Sequence, residues 1–306
     1  MIDGMNAIVT GSTRGLGLAI AAALGAAGAN VVINGRSEDA CRTAIDALAP
    51  EVTGGLEHVV GSVADEHTAA DLVERCHSRF GPVNLVVNNA GITRDRSLLK
   101  MTVAEFDEVI AVHLRGTWLM CRAAAQQMRG TGGAILNITS GSALFGLVGQ
   151  SNYAAAKGGV NALTRALSVE LRRYDIRVNA LYPVALTDMT RPVLDLAGGP
   201  GGPLQDVFGA PADVARIVVA LAGPSASTIT GQILGFDGSE LSVWSHPDRI
   251  DRRCHRSPWS PAELDSALRD LAAHPAPLHP DEVGARTRDA LSGQRAPGSA
   301  ASSESR

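Results

Sequence analysis

Ser140, Tyr153 and Lys157 carry the residue types and spacing for acid–base work on an oxygen atom. They lie in the segments Asn137-Ile138-Thr139-Ser140 and Tyr153-Ala154-Ala155-Ala156-Lys157. A tyrosine and a lysine four apart share one face if the segment is helical. A phenol ionises near about pH 10, too high for catalysis at neutrality. A neighbouring ammonium favours the phenolate and brings it toward a useful range, while a serine hydroxyl can hold the oxygen of a substrate. Alone the pair means little, because such pairs occur on many helix surfaces. Its weight comes from what accompanies it.

The second candidate is a glycine turn, Thr10-Gly11-Ser12-Thr13-Arg14-Gly15-Leu16-Gly17, placed between an apolar run and an Ala-rich segment. Glycines permit a tight turn and close approach of backbone N–H groups to a pyrophosphate, and a following helix N-terminus stabilises the negative charge. Residues 11–17 are therefore expected to bind a dinucleotide. The next apolar run ends in Ile33-Asn34-Gly35-Arg36-Ser37, so Gly35 stands where NAD-preferring sites usually carry a carboxylate. Without that acid, and with the Arg36 guanidinium as a bidentate partner for a 2′-phosphate, NADP(H) is the expected cofactor. Arg14 could add a second positive charge.

The elements that must position these residues follow a regular rhythm to about residue 236. Short apolar runs (7–9, 30–33, 56–60, 85–87, 134–138, 177–181 and 232–234) alternate with helix candidates near 15–28, 38–48, 66–80, 102–129, 151–174 and 211–222. Strands that are apolar nearly throughout suit a parallel sheet covered on both faces. The expected fold is α/β: three layers around a doubly wound parallel sheet of about seven strands. The glycine turn and Ser140 then fall at the carboxyl ends of strands, where such sheets present their ligand crevice. The expected organisation is one cofactor-binding catalytic domain over 1–240, an extension over 241–292 with a short helix from Ser260 to about Ala273, and a polar, disordered tail over 293–306. A Gly/Pro-rich lid is expected around 195–208.

The 306 residues are 45% apolar, which is enough to bury a large core without disulfides, and a formal charge of −4 gives no electrostatic reason to expect nucleic acid. Cys41, Cys76, Cys121 and Cys254 lie far apart with no C-x-x-C, which points to reduced thiols. No apolar stretch approaches about 18 residues, so no membrane span is expected and the chain reads as cytoplasmic. The histidines form no H-E-x-x-H, so no metal is expected, and Ser140 lacks a G-x-S-x-G elbow. Trp118 and Met120 read as core, and Leu163, Leu167, Val169 and Leu171 either face a partner subunit or, more simply, are buried within the monomer.

Over about residues 5–240 the sequence resembles the short-chain dehydrogenase/reductase family. The likeness is carried by the glycine turn, Asn88-Asn89-Ala90-Gly91, Ser140, and the Tyr153/Lys157 pair. The spacing of Ser140 and Tyr153 is similar to that of bacterial 3-oxoacyl carrier-protein reductases. Asn88 to Ser97 and Val112 to Thr117 look like the (3R)-hydroxyacyl-CoA dehydrogenase module of peroxisomal multifunctional enzyme type 2. The resemblance implies a Rossmann-type domain, commonly a homotetramer or dimer, that interconverts a carbonyl and a secondary alcohol on a small molecule. It implies that Tyr153 gives the proton, that Ser140 orients the carbonyl, and that Lys157 binds the nicotinamide ribose and lowers the tyrosine pKa. Asn89, Gly91, Ser62, Val63, Pro183 and Thr187 would complete the cofactor site. The subgroup likeness points to a β-keto or β-hydroxy acyl thioester. An alcohol- or steroid-oxidising dehydrogenase and a non-catalytic NADP(H) sensor remain as alternatives. Two residues depart from the family pattern. His113 replaces an asparagine that holds a relay water; it either bridges that water itself or packs in the core. Val184 stands where a glycine is usual, narrowing the cleft near the nicotinamide.

Overall fold

The computed structural model describes residues 2–187, 191, 209–244, 262, 263 and 266. The apolar runs form β1 (Asn6–Val9), β2 (Asn30–Gly35), β3 (Leu56–Val60), β4 (Leu85–Asn88), β5 (Gly133–Ile138), β6 (Ile176–Pro183) and β7 (Ile233–Phe236). Between them run α1 (Gly15–Ala26), α2 (Glu38–Leu48), α3 (Glu66–Phe80), α4 (Val103–Ile110), α5 (Gly116–Met128), the short α6 (Ser142–Phe145), α7 (Ser151–Glu170) and α8 (Pro211–Ala222). The order across the sheet is β3-β2-β1-β4-β5-β6-β7, all parallel, with an eighth strand, β8 (Leu241–Trp244), antiparallel on β7. The chain winds outward from β1 in one direction to β3, then returns to β4 on the other side of β1 and winds away. That reversal opens a crevice at the strands' carboxyl ends.

Side chains alternate across each strand, and both faces are apolar. Ala7 and Val9 of β1, with Val31 and Ile33 of β2, pack under α1, α2 and α8 through Ile20, Leu24, Leu48 and Val218. Ile8 and Val32 face the other way, against Leu72 and Cys76 of α3 and Met120, Ala124 and Met128 of α5. Each such fully buried Leu, Ile or Met side chain stabilises the fold by roughly 1.5–3 kcal/mol relative to exposure. Helix starts are set locally: Thr102 and Glu105 form a reciprocal capping box on α4, Asp65 accepts the His67 N–H at 3.0 Å on α3, and Pro211 opens α8.

Four features depart from the sequence pattern. The helix expected over 102–129 is broken by one π-helical turn at Ala111–Arg115, which carries His113. The sheet runs past residue 240, because β8 adds an edge strand whose Leu241 and Val243 are exposed. Met120 is core, but Trp118 is on the surface with the Arg122 guanidinium over its ring. On α7, Val169 is exposed, whereas Leu167 packs against the core. The expected lid at 195–208, most of the 241–292 extension and the 293–306 tail lie outside the described residues. Among the described residues no helix is long and apolar enough to cross a membrane.

Candidate active site

The glycine turn is built so that backbone can come close to a ligand. Gly11 and Gly15 have φ of +60° and +56°, a conformation that residues with a Cβ rarely adopt. A Cβ on Gly11 would stand 2.6 Å from the Ala90 Cα, and one on Gly17 would stand 2.4 Å from both the Gly11 carbonyl oxygen and Asn89 Nδ2. Asn89 braces the turn, its Nδ2 donating to the Thr10 and Gly11 carbonyl oxygens at 3.0 Å each. Thr10 Oγ1 accepts from the Asn89 and Ala90 N–H groups in return. α1 begins without a side-chain cap, which leaves its first N–H groups to an incoming anion.

Sequence reasoning missed Asn34. Its Oδ1 accepts from the Gly11 N–H at 3.3 Å, and its Nδ2 donates to the Val59 and Gly61 carbonyl oxygens. One buried amide thus ties the turn to the ends of β2 and β3; a polar residue closing an apolar strand was the available signal. Ser12 is fully buried, its Oγ donating to the Val9 carbonyl oxygen at 2.6 Å and accepting from the Asn34 N–H. Its side chain therefore holds strand ends together and does not reach the crevice.

The crevice is a cleft of about 850 Å³. Every residue expected at the site lines it except Ser12 and Gly15. Gly11, Thr13, Arg14 and exposed Arg36 line it at the glycine turn, with Thr187 4.0 Å from the Cβ position of Gly15; Ser62, Val63, Asn89, Gly91 and Pro183 also line it, and Ser140, Tyr153 and Lys157 form the end that carries the acid–base groups. Gly35 packs on Thr13, and a Cβ there would meet Thr13 Cγ2 at 2.4 Å and Cys41 Sγ at 3.0 Å. Val184 adopts no positive φ; its N–H donates to the Phe236 carbonyl oxygen at 2.9 Å, so it enters the wall without backbone strain. Three rings that the sequence did not announce, Phe145, Tyr182 and Trp244, close the same end, with centroids 6.3–6.5 Å apart. Trp244 comes from β8.

At this end α7 brings Tyr153 and Lys157 together one turn apart, and the end of β5 brings in Ser140, whose side chain is hydrogen-bonded to that of Tyr153. Lys157 Nζ donates to the Ile138 carbonyl oxygen at 2.6 Å and lies 5.7 Å from the centre of the Tyr153 ring. Burial decides the direction for both groups. It pushes the phenol up to about 12, opposed by the Ser140 hydrogen bond and helped by the negative charge of Asp95. It pushes the lysine down to about 7. Burial thus raises Tyr153, the reverse of the lowering by the amine that was expected from the sequence. Tyr153 is therefore fully protonated at neutral pH and available as a proton donor.

His113 is 1% exposed and meets the Tyr153 ring edge-on, with centroids 5.0 Å apart at 89°. Its Nε2 faces the Ile92 backbone, 2.7 Å from the oxygen and 3.0 Å from the nitrogen. Its Nδ1 has no hydrogen-bond partner among the described residues. Burial, then the charge on Lys157, hold the imidazole down at about 3, so it is neutral. The ring packs on Tyr153 and also lines the cleft, and Nδ1 is the atom left to bridge a water.

A short chain dehydrogenase family profile matches residues 5–195. The chain belongs to the short-chain dehydrogenase/reductase family. It is 38% identical over 291 residues to a hydroxyacyl-CoA dehydrogenase of Mycobacterium tuberculosis, covering 89% of this chain and 90% of that one. It is 38% identical over 237 residues to a 3-oxoacyl-acyl-carrier-protein reductase of Chlamydia muridarum, covering 76% and 95%. Among solved structures, a short chain dehydrogenase from Mycobacterium avium superposes with a TM-score of 0.75 at 33% identity, covering 90% of this chain and 97% of the other. Short-chain dehydrogenases are oxidoreductases that act on CH–OH and C=O groups with a nicotinamide dinucleotide, and this cleft fits one. Its volume lies within the range of about 300–1,000 Å³ usual for ligand sites, and Cβ atoms on Gly11 and Gly17 would fill the cradle where the phosphates approach.

Proposed function

We propose that this short-chain dehydrogenase is an NADP(H)-dependent ketoreductase that reduces the β-carbonyl of an acyl thioester, acting in the cytoplasm as a homo-oligomer. The observation that carries the chemistry is the hydrogen-bonded Ser140–Tyr153 pair, with Lys157 beside it, facing a cleft that continues to the glycine turn. Tyr153 gives its proton to the carbonyl oxygen as that oxygen gains negative charge. Ser140 donates a hydrogen bond to the same oxygen and fixes its position. Lys157, anchored on the Ile138 carbonyl oxygen, would hold the ribose of the cofactor, and Thr187 and Pro183 would flank its nicotinamide. The bound nicotinamide supplies the hydride. A phenol held up at about 12 is in the protonated form that reduction of a carbonyl requires.

Arg36 supports NADP(H), because it stands exposed at the cleft rim where a guanidinium can pair a 2′-phosphate. Gly35 supports it too: the Thr13 methyl contact leaves no room there for a carboxylate. The thioester is supported by the names of the two relatives, which state a hydroxyacyl-CoA and a 3-oxoacyl carrier-protein substrate. Buried free thiols at Cys41, Cys76 and Cys121 agree with a reducing compartment, and exposed Trp118 and Val169 offer apolar surface to a second copy.

The test follows NADPH and NADH oxidation with acetoacetyl-CoA, quinones, steroids and simple ketones. NADPH with acetoacetyl-CoA is the expected best pair. Tyr153→Phe is expected to lower its kcat by about 100-fold or more while NADPH binding persists. Undiminished turnover in Tyr153→Phe would overturn the assignment. NADPH binding with no turnover anywhere in the panel is the result a sensor would give.

A further inference from the structure

The Ser140 hydroxyl is held by more than Tyr153. Its Oγ donates to Ser142 Oγ at 3.3 Å and accepts from the Ser142 N–H at 3.2 Å. Ser142 Oγ donates to Gln150 Oε1 at 2.6 Å, and Gln150 Nε2 donates to Asp95 Oδ2 at 2.7 Å. Four side chains from the end of β5, α6, the approach to α7 and the loop after β4 thus form one line from the reacting pair to the cleft mouth.

The acid at its end gives this line a direction. An ionised carboxylate only accepts, so the Gln150 amide must turn its NH2 toward Asp95 and its oxygen toward Ser142. The single Ser142 proton is then committed to Gln150. Ser142 Oγ can only accept from Ser140, and the Ser140 lone pair not taken by the Ser142 N–H is left for Tyr153. In the opposite polarity Ser142 would donate to Ser140, and the Ser140 proton would turn onto the phenol oxygen. We propose that Asp95, Gln150 and Ser142 are positioning residues that hold the Ser140 proton away from the phenol oxygen, so that Tyr153 stays the donor of the pair until a carbonyl oxygen arrives, and the Ser140 proton then turns to it from the long 3.3 Å bond to Ser142.

The end of the line is well anchored. Arg94 makes two bonds to Glu108, at 2.8 and 2.9 Å, and Arg96 Nε bonds Glu105 at 2.6 Å, so both guanidiniums beside Asp95 are engaged elsewhere. The Arg96 N–H donates to the Gly149 carbonyl oxygen at 2.8 Å, and Asn152 Nδ2 donates to the Arg94 carbonyl oxygen at 3.0 Å. These contacts strap the Asp95 loop to α4 and to the start of α7. The negative charge of Asp95 works against ionisation of Tyr153.

This inference rests on the reading of Ser140 and Tyr153 as the reacting pair, and the experiment separates the two. kcat and KM for acetoacetyl-CoA with NADPH are measured for Gln150→Leu and for the isosteric surface change Asp95→Asn, each in wild-type and Ser140→Ala backgrounds. NADPH affinity is followed by fluorescence. In the wild-type background kcat is expected to fall about tenfold for Gln150→Leu and about threefold for Asp95→Asn, with KM and NADPH affinity nearly unchanged. In the Ser140→Ala background neither substitution is expected to cost anything further, because the line has nothing left to orient. Equal fractional losses in both backgrounds, losses confined to KM, or no loss at all would overturn the positioning role while leaving the reacting pair intact. Full turnover in Ser140→Ala itself would overturn both.

Discussion

The proposed preference for NADP(H) rests on the missing Cβ at position 35 and the charge at position 36. A Cβ on Gly35 would press on the Thr13 and Cys41 side chains, so a carboxylate cannot be carried there unless they shift. Arg36 is exposed at the rim and can answer a phosphate with two parallel N–H donors. Arg36→Asp replaces attraction by repulsion at that point. The ratio of kcat/KM for NADPH over NADH is expected to fall by at least about tenfold, since charge-assisted bonds of this kind are worth roughly 1.5–3 kcal/mol. A ratio that does not move would remove Arg36 from cofactor selection. Residue types and spacing announced Ser140, Tyr153, Lys157 and Arg36 because each is chemically distinctive in its context. They did not announce Asn34, Ser142, Gln150 or Asp95. Those residues matter through side-chain bonds between distant segments, and such bonds leave no periodicity in the chain.

At the level of elements, the parallel strands were readable because burial on both faces demands unbroken apolar runs, and the helices because capping and glycine signals bound them. β8 was not: Leu241-Ser242-Val243-Trp244 alternates, its two aliphatic residues face outward, and it follows the last βα unit. The π-helical turn was hidden for another reason. Ala111–Arg115 contains no Pro or Gly, so the helical pattern runs through it unbroken. The joint between the glycine turn and α1 gives the sharpest test at this scale. In Gly17→Ala the new methyl would sit 2.4 Å from the Gly11 carbonyl oxygen, a backbone atom that cannot step aside alone. The expected result is a loss of about 1–3 kcal/mol in stability and a weaker NADPH complex. Gly158→Ala in α7 is the contrast, because nothing lies within 4 Å of its Cβ position. There the gain in helix propensity should stabilise by up to about 1 kcal/mol. Calorimetry and NADPH fluorescence read both. A Gly17→Ala protein as stable as wild type would show that α1 packs loosely on the turn, and a destabilised Gly158→Ala would show that its Cβ position is not open.

Across the whole molecule, the crevice that opens between the two halves of the sheet holds ionisable groups inside a largely apolar body, and global stability must register them. His113 is held down at about 3 against an ordinary value of 6.5. Between those limits the unfolded chain binds a proton that the native imidazole refuses, so stability falls as pH drops from 6.5 toward 3, by up to about 1.4 kcal/mol per unit. Glu105, held at about 2 by the Thr102 backbone and Arg96, loses its contribution only as pH passes below its ordinary 4.5. Lys157, held down at about 7 against 10.5, acts on the alkaline side: the native state sheds its buried charge first, and stability rises with pH from 7 upward. The interval from pH 6.5 to 4.5 therefore isolates His113 from these two groups. Urea unfolding of wild type and His113→Asn at pH 6.5, 5.5 and 4.5 should show the wild-type free energy falling more steeply, by about 1 kcal/mol per unit, whatever the absolute cost of the substitution. Parallel slopes would mean that the native state takes up a proton at His113 as readily as the unfolded chain does. The ring beside Tyr153 would then carry charge in the working range, and its neutral, edge-on support of the phenol would have to be abandoned.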